Sequence, residues 1–225
     1  KAVRKIVARV GRAVSDVAEV EARKGAVGVR PLARIAALPT AERQYTALNS
    51  MADLFLIPEG ESAQSFFNAG KRLFIASCLY AIEKRRPTLG YAGELMAGGG
   101  DKKKTYTSIA EDTQIPIVSR TFLEMADVPE KTLGAYVSVI QGSGLELWND
   151  LAVDRVTSAS DFDFSTFRRD PQSLYIVVQP EHLKTLAPLV RLLRRDRRSN
   201  HHRRRPRHRH RPLPCPPHRR RRLRP

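Results

Sequence analysis

The sequence predicts a mainly helical protein carrying one strand–helix arm of α/β character and a disordered basic tail. Three observations predict it. Between residues 40 and 151, apolar residues recur at three- and four-residue steps, the period of an amphipathic helix. Five consecutive apolar residues, Leu174-Tyr-Ile-Val-Val178, stand between turn signals at Asp170-Pro171 and Gln179-Pro180, the pattern of a strand buried on both faces. Beyond Leu193 the apolar periodicity stops and the composition passes to Arg, His and Pro.

The charge follows the same division. The chain has 225 residues and a formal net charge of +17, from 40 Lys+Arg and 23 Asp+Glu. Residues 191–225 hold 16 Arg, one acidic residue (Asp196) and five of the six His, a net of +15. The first 190 residues keep 24 basic and 22 acidic side chains, a net of +2. A uniformly basic nucleic-acid-binding fold is thereby excluded, and two Cys exclude a disulfide framework. No stretch reaches the roughly 18 apolar residues of a spanning helix. The longest, Leu73 to Ile82, reads as the buried face of a soluble helix.

Along the chain, Val3, Ile6, Val7, Val10, Val14, Val17 and Val20 predict an amphipathic helix, weakened by its β-branched content. With the Gly-containing stretch after it, this makes residues 1–39 an N-terminal helix and linker. Residues 40–151 form an all-helical domain. Thr40 is the N-cap of its first helix, whose stripe is Leu48, Met51, Ala52, Phe55 and Leu56, ending before Pro58. A second helix starts near Glu61, turns Phe66, Phe67, Gly70, Leu73, Phe74, Ser77, Cys78, Tyr80 and Ala81 inward, and ends over Glu83–Arg86. Thr88 caps a short helix to Met96. Residues 97–104 are a loop. Residues 105–112 are helical, and Ser119 caps a helix to Ala126. Pro129 then opens a long helix from Glu130 to about Leu151, as first-turn Pro favours, with Gly134, Gly142 and Gly144 weakening it. Residues 152–193 hold strand 174–178 and helix 181–193, and 194–225 are disordered by composition.

Chemistry-bearing constellations are sparse. The glycines at 98–100 are followed by Asp101 and Lys102–Lys104, whereas a phosphate-cradling loop needs G-x-x-x-x-G-K-[ST] after a strand; the segment is a connector. Glu42, Asp53, Glu83 and Glu94 have no partner spacing that marks an acid–base pair. His182, directly after Pro180-Glu181, reads as a solvated helix start, and Cys78 as a core thiol. No His/Cys/carboxylate spacing marks a metal site. The residues therefore assign no catalytic, cofactor-binding or metal-binding position. The tail has two readings. Arginine clusters bind phosphate backbones without reading sequence, which would make this a basic nucleic-acid-binding protein. Such Arg/His/Pro monotony also arises when GC-rich coding DNA is read out of frame.

Several stretches together resemble the coupling proteins of conjugative transfer and type IV secretion, the VirD4/TraG family. They are Arg30-Pro-Leu-Ala-Arg-Ile35, with Arg30 where the family has Asn; Phe66-Phe-Asn-Ala-Gly-Lys-Arg-Leu73; and Thr157-Ser-Ala-Ser-Asp-Phe-Asp-Phe164. Phe167-Arg-Arg-Asp-Pro171, Ser173–Val178 and the Leu183–Leu193 helix continue the likeness. The resemblance implies membrane-anchored hexameric ATPases at the cytoplasmic face of the inner membrane, using ATP and Mg. Each would have a RecA-like P-loop domain with a small all-helical domain inserted after the first phosphate-binding loop. The implied partners are the relaxosome or secreted protein substrates, DNA and the secretion channel. On this resemblance 40–151 is the inserted helical domain and 152–193 a partial RecA-like α/β segment. Both Walker motifs are missing from this chain, which implies an internal, soluble cytoplasmic fragment that does not hydrolyse ATP by itself.

Overall fold

The computed structural model describes residues 4–9, 29–58, 63–160, 172–177 and 180–193. Its elements are β1 (Arg4–Arg9), α1 (Ala33–Ala36), α2 (Ala41–Phe55), α3 (Ala63–Glu83), α4 (Leu89–Ala97), α5 (Lys102–Asp112), α6 (Pro116–Ala126), α7 (Glu130–Gly142), α8 (Leu151–Ser158) and β2 (Gln172–Val177). A last helix, α9, covers 187–193.

α3 is the centre of the body, and α2, α4, α6 and α7 pack around it. The reason is its sequence. From Leu73 to Ala81 every residue is buried, Ser77 and Cys78 included, so this stretch is apolar on all sides and must be surrounded. α2 shows the expected stripe, with Leu48, Met51, Ala52, Phe55 and Leu56 all buried. Its Thr40 cap forms as expected, the hydroxyl accepting from the Arg43 N–H. Thr88 likewise accepts from Tyr91 N–H at the start of α4. Each such cap satisfies one of the N–H groups a helix start leaves without a partner.

Helix crossings depend on small residues. At Gly70 a Cβ would stand 2.6 Å from the Tyr136 carbonyl oxygen and 2.7 Å from Ile140 Cγ1. The missing side chain is what lets α3 and α7 approach so closely. Phe55 joins α2 to this core through edge-on contacts with Phe74 and Trp148, ring centroids 5.8 Å apart in both cases.

Several sequence expectations need correction. The helix predicted over Val3–Val20 is, where described, the strand β1; Val10–Val20 lie outside the described residues. β-branched residues lose rotamer freedom in helices and suit strands, and β1 finds a partner: it pairs parallel with β2, Arg4 opposite Gln172 through Arg9 opposite Val177. The connector at 97–104 is shorter than expected. Asp101 accepts from Lys104 N–H and starts α5 at Lys102. Pro116, not Ser119, opens α6; its missing N–H costs nothing in a first turn. The long helix from Glu130 breaks at Gly142. Ser143 donates to the Val139 carbonyl at 2.6 Å, and Gly144 takes φ +135, a conformation open to glycine. A 3₁₀ turn, Leu145–Asn149, then buries Leu145 and Trp148 before α8 begins.

The predicted α/β-domain fragment is also corrected. Strand pairing among the described residues is confined to the β1–β2 ribbon, and two strands do not make an α/β layer. The helix expected over 181–193 starts as a 3₁₀ turn, Pro180–His182, and becomes α9 only at 187. It packs with the helices: Leu189, Leu192 and Leu193 join the same apolar core. The core is helical, and no α/β domain fragment is present among the described residues. Residues 161–171 and the basic tail, 194–225, lie outside them.

The chain enters and leaves the helical body at one place. Val29 N–H donates to the Val156 carbonyl at 3.1 Å. Arg30 donates its backbone N–H to Ser160 Oγ at 2.9 Å and its Nε–H to the Ser158 carbonyl at 2.7 Å. Arg30, which stands where the resembling family carries Asn, thus clasps the two ends together. No helix among the described residues is long and apolar enough to cross a membrane.

Candidate partner-binding groove

A groove runs along α3 on the side away from α7. At 100° per residue, Arg72, Ala76 and Leu79 fall on one strip of α3, roughly opposite Gly70 and Phe74. Tyr45 of α2 forms one wall. The other is the side of α6 that carries Ile117, Arg120, Thr121 and Glu124, with Thr121 buried. These four recur at the i, i+3, i+4, i+7 spacing of one helix face. The opposite face, Val118, Phe122, Met125 and Ala126, is buried. The groove measures about 410 Å³, counting the solvent at its mouth.

Ala76 and Leu79 at its base are buried, and its rim is charged. Arg72 and Glu124 form an ion pair that bridges α3 and α6 across one wall. Both are about half exposed, so the pair contributes little to stability. Arg120 is exposed, and among the described residues it has no hydrogen-bond or ion-pair partner. Ile117, in this wall, is exposed to 37%.

A second polar cluster fixes the α5–α6 turn against the end of α3. Tyr80 donates its hydroxyl to Asp112 at 2.5 Å, and Lys84 pairs with the same carboxylate. The Lys84 hydrogen bond, then that of Tyr80, holds Asp112 below the ordinary carboxylate range. Asp112 in turn raises Lys84. Burial, followed by the Asp112 carboxylate, pushes Tyr80 up. Glu83 accepts from Thr113 Oγ1 at 2.5 Å and from Gln114 N–H at 2.7 Å. Deeper in, burial pushes Tyr106 up to about 12, and its hydroxyl donates to the Met96 carbonyl.

Of the residues singled out in the sequence, Asp53, Glu83 and Glu42 have structural partners. Asp53 pairs with Lys71. Glu83 pins the turn just described. Glu42 lies in the first turn of α2, where backbone N–H and then Thr40 lower its pKa. His182 is part-exposed in the last turn of its 3₁₀ segment. Cys78 is a free, fully buried thiol whose pKa burial pushes up, the opposite of an activated cysteine. Glu94 lies far along α4 and joins none of these clusters. Among the described residues no group of three or more His, Cys, Asp or Glu is placed to hold a metal. The groove was missed in the sequence. The signal available was Ile117, an apolar residue on the otherwise polar face of α6.

This geometry describes a helical scaffold with an open, mixed-character recess. The family model described as "Type IV secretory system Conjugative DNA transfer" matches residues 8–216, and the chain belongs to that family. It is 38% identical over 163 residues to Protein VirD4 of Agrobacterium fabrum (strain C58 / ATCC 33970), covering 72% of this chain and 24% of that protein. It is equally similar to Protein VirD4 of Rhizobium rhizogenes. To the conjugal transfer protein TraG of Escherichia coli it is 28% identical over 167 residues, covering 68% of this chain and 26% of that protein. The chain thus spans about a quarter of the length of the curated relatives it matches.

Proposed function

We propose that this chain is the recruiting part of a conjugative coupling protein, receiving DNA or protein cargo for transfer through a type IV secretion channel. The observation that carries this reading is its membership of the conjugative DNA transfer family over most of its length. Residues 40–151, the helical domain, would present the receiving surface. The relaxosome or a secreted substrate and the channel components are its partners, and the working assembly is a hexamer at the cytoplasmic face of the inner membrane. Support from the fold is the clasp at Arg30, which ties the two ends of the helical body together.

Nucleotide hydrolysis is assigned to other parts of the protein, because the sequence contains no G-x-x-x-x-G-K-[ST] loop. Two experiments test the reading. The purified chain, immobilised, should retain relaxosome proteins or a secreted substrate from a donor cell; failure to retain either overturns it. The same preparation should show no ATP turnover above background, and measurable turnover would overturn the division of labour.

A second reading has one specific observation behind it, the net +15 of residues 191–225. On this reading the chain binds nucleic acid through its tail. It predicts nonspecific binding with a steep salt dependence that disappears on truncation at Arg194. Binding that survives truncation assigns DNA contact to the helical body instead.

A further inference from the structure

We propose that the corner where α3 passes into α4 binds single-stranded nucleic acid, without reading its sequence, through Arg85, Arg86 and Tyr91. Arg85 takes a backbone phosphate, and a base stacks on the Arg86 guanidinium where it lies over Tyr91. This inference rests on the recruiting function above and assigns its DNA contact to named residues.

Arg85 occupies a position built for glycine. α3 ends in a Schellman turn: Arg86 N–H donates to the Ala81 carbonyl at 2.8 Å, and Arg85 N–H to that of Ile82 at 3.0 Å. The turn puts Arg85 at φ +59, and among the described residues it is the one non-glycine with positive φ. The C-cap of α4, at φ +72, is Gly98. A side chain in the left-handed region costs stability. Arg85 returns none of it through contacts: it is exposed and has no hydrogen-bond or ion-pair partner among the described residues. What it offers is a free guanidinium at a fixed place.

Arg86 is exposed as well, and its guanidinium carbon lies 3.8 Å from the centre of the Tyr91 ring. A guanidinium held on an aromatic ring keeps N–H groups for phosphate, and guanidinium and aromatic planes both stack on bases. The carboxylates at this end of α3 are engaged. Glu83 accepts from Thr113 and Gln114, and Asp112 holds Tyr80 and Lys84. Asp154 lies against Gly90, where an added Cβ would stand 2.2 Å from its Oδ1. It forms no ion pair with either arginine among the described residues. A peptide carboxylate would meet the same two cations without an apolar anchor, since Leu89, between Arg86 and Tyr91, is buried. Single-stranded nucleic acid needs cations beside a stacking platform and no apolar recess.

The test uses the full 225-residue chain and a thymidine oligonucleotide of about ten nucleotides carrying a photoreactive 5-iodouracil. On irradiation the oligonucleotide should crosslink to Tyr91. Arg86→Ala should lower the yield of that crosslink about tenfold, the loss of one stacked base. Arg85→Gly should raise the thermal midpoint of the chain, because glycine fits the turn. The same substitution should lower the Tyr91 crosslink and flatten its logarithmic salt dependence by about 0.7, one phosphate contact. A residue serving the fold alone would not raise stability and lose binding together. Crosslinks confined to 191–225, an Arg85→Gly chain that crosslinks as well as the native one, or a lowered midpoint in that variant would each overturn the proposal. So would equal crosslinking of a duplex with the same label, or displacement of the oligonucleotide from Tyr91 by a Leu/Glu peptide at lower concentration. Cargo retention by a native chain that gives no Tyr91 crosslink overturns this inference while the recruiting function stands. A Tyr91 crosslink without cargo retention overturns the recruiting function and supports the nucleic-acid site.

Discussion

The two sides of α3 are built to opposite ends. On the α7 side, Gly70 removes a side chain, and the Tyr136 backbone and Ile140 fill the space at once. Phe74 continues that face into the cluster with Phe55 and Trp148. On the other side Ala76 and Leu79 are also buried, but Arg72 at the rim is half exposed and pairs with Glu124 of α6. The same helix therefore has one face closed by shape and one bordered by exposed charges. Packing therefore does most of its work on the first of these faces. Substitutions on the closed face should act strongly on folding, and those at the charged rim weakly.

Phe55→Ala is the largest expected break. Phe55 is fully buried and meets two aromatic rings, so its truncation should cost about 4 kcal/mol, read from the denaturant midpoint at unchanged slope. Gly70→Ala should cost about 3 kcal/mol, because the new Cβ meets backbone, which yields less readily than a side chain. A cost below about 1 kcal/mol would mean that α7 slides away easily and that the closed face is not rigid.

Ser77→Ala tests whether the closed face works by packing alone. The Ser77 hydroxyl is buried with no hydrogen-bond partner among the described residues, so its removal should leave stability unchanged or raise it by up to about 1 kcal/mol. A loss larger than that would reveal a polar role for the hydroxyl.

Between the two faces, Asp112 supplies a pH-dependent contact. Its folded pKa is depressed by Lys84 and Tyr80 below the ordinary value of 3.8. The unfolded chain therefore takes up a proton first as pH falls. The contribution to stability is present above the unfolded pKa and is lost as pH drops through the folded one. Asp112→Asn should flatten the acid limb of the stability profile below about pH 4 and leave its shape near neutrality unchanged. An acid limb identical to that of the native chain would remove Asp112 from this role.

The smallest expected change in stability is at the charged rim. Arg120→Ala should move the unfolding midpoint by no more than about 0.5 kcal/mol, because Arg120 is exposed. A marked loss of stability would show that Arg120 holds α6 in place and that the two faces are not separate.

Much of the helical body was legible in the chain. The Leu48–Leu56 stripe, the Thr40 and Thr88 caps and the inward face of α3 depend on residues within a turn or two of one another. Local periodicity and local hydrogen bonding are sufficient to set them. The break after Gly142 was half visible: the glycines marked a weakness, and Trp148 docking against Phe55 made the chain turn there. The groove was scarcely visible, because its residues come from three helices. Ile117 is a neighbour of Tyr45 only after α3 has brought α2 and α6 together.

What the sequence determined by itself is the helical core, the family membership carried by its motifs, and the division of charge between a near-neutral body and a +15 segment. Tertiary structure decided the rest. It made residues 4–9 a strand, since a parallel partner 168 positions away pairs with them and their β-branched side chains suit a strand. It turned the helix after β2 onto the helical body, where Leu189, Leu192 and Leu193 had apolar surface to cover. And it gathered Tyr45, Arg72 and Ile117 around one recess, a property of how three helices pack that no single segment encodes.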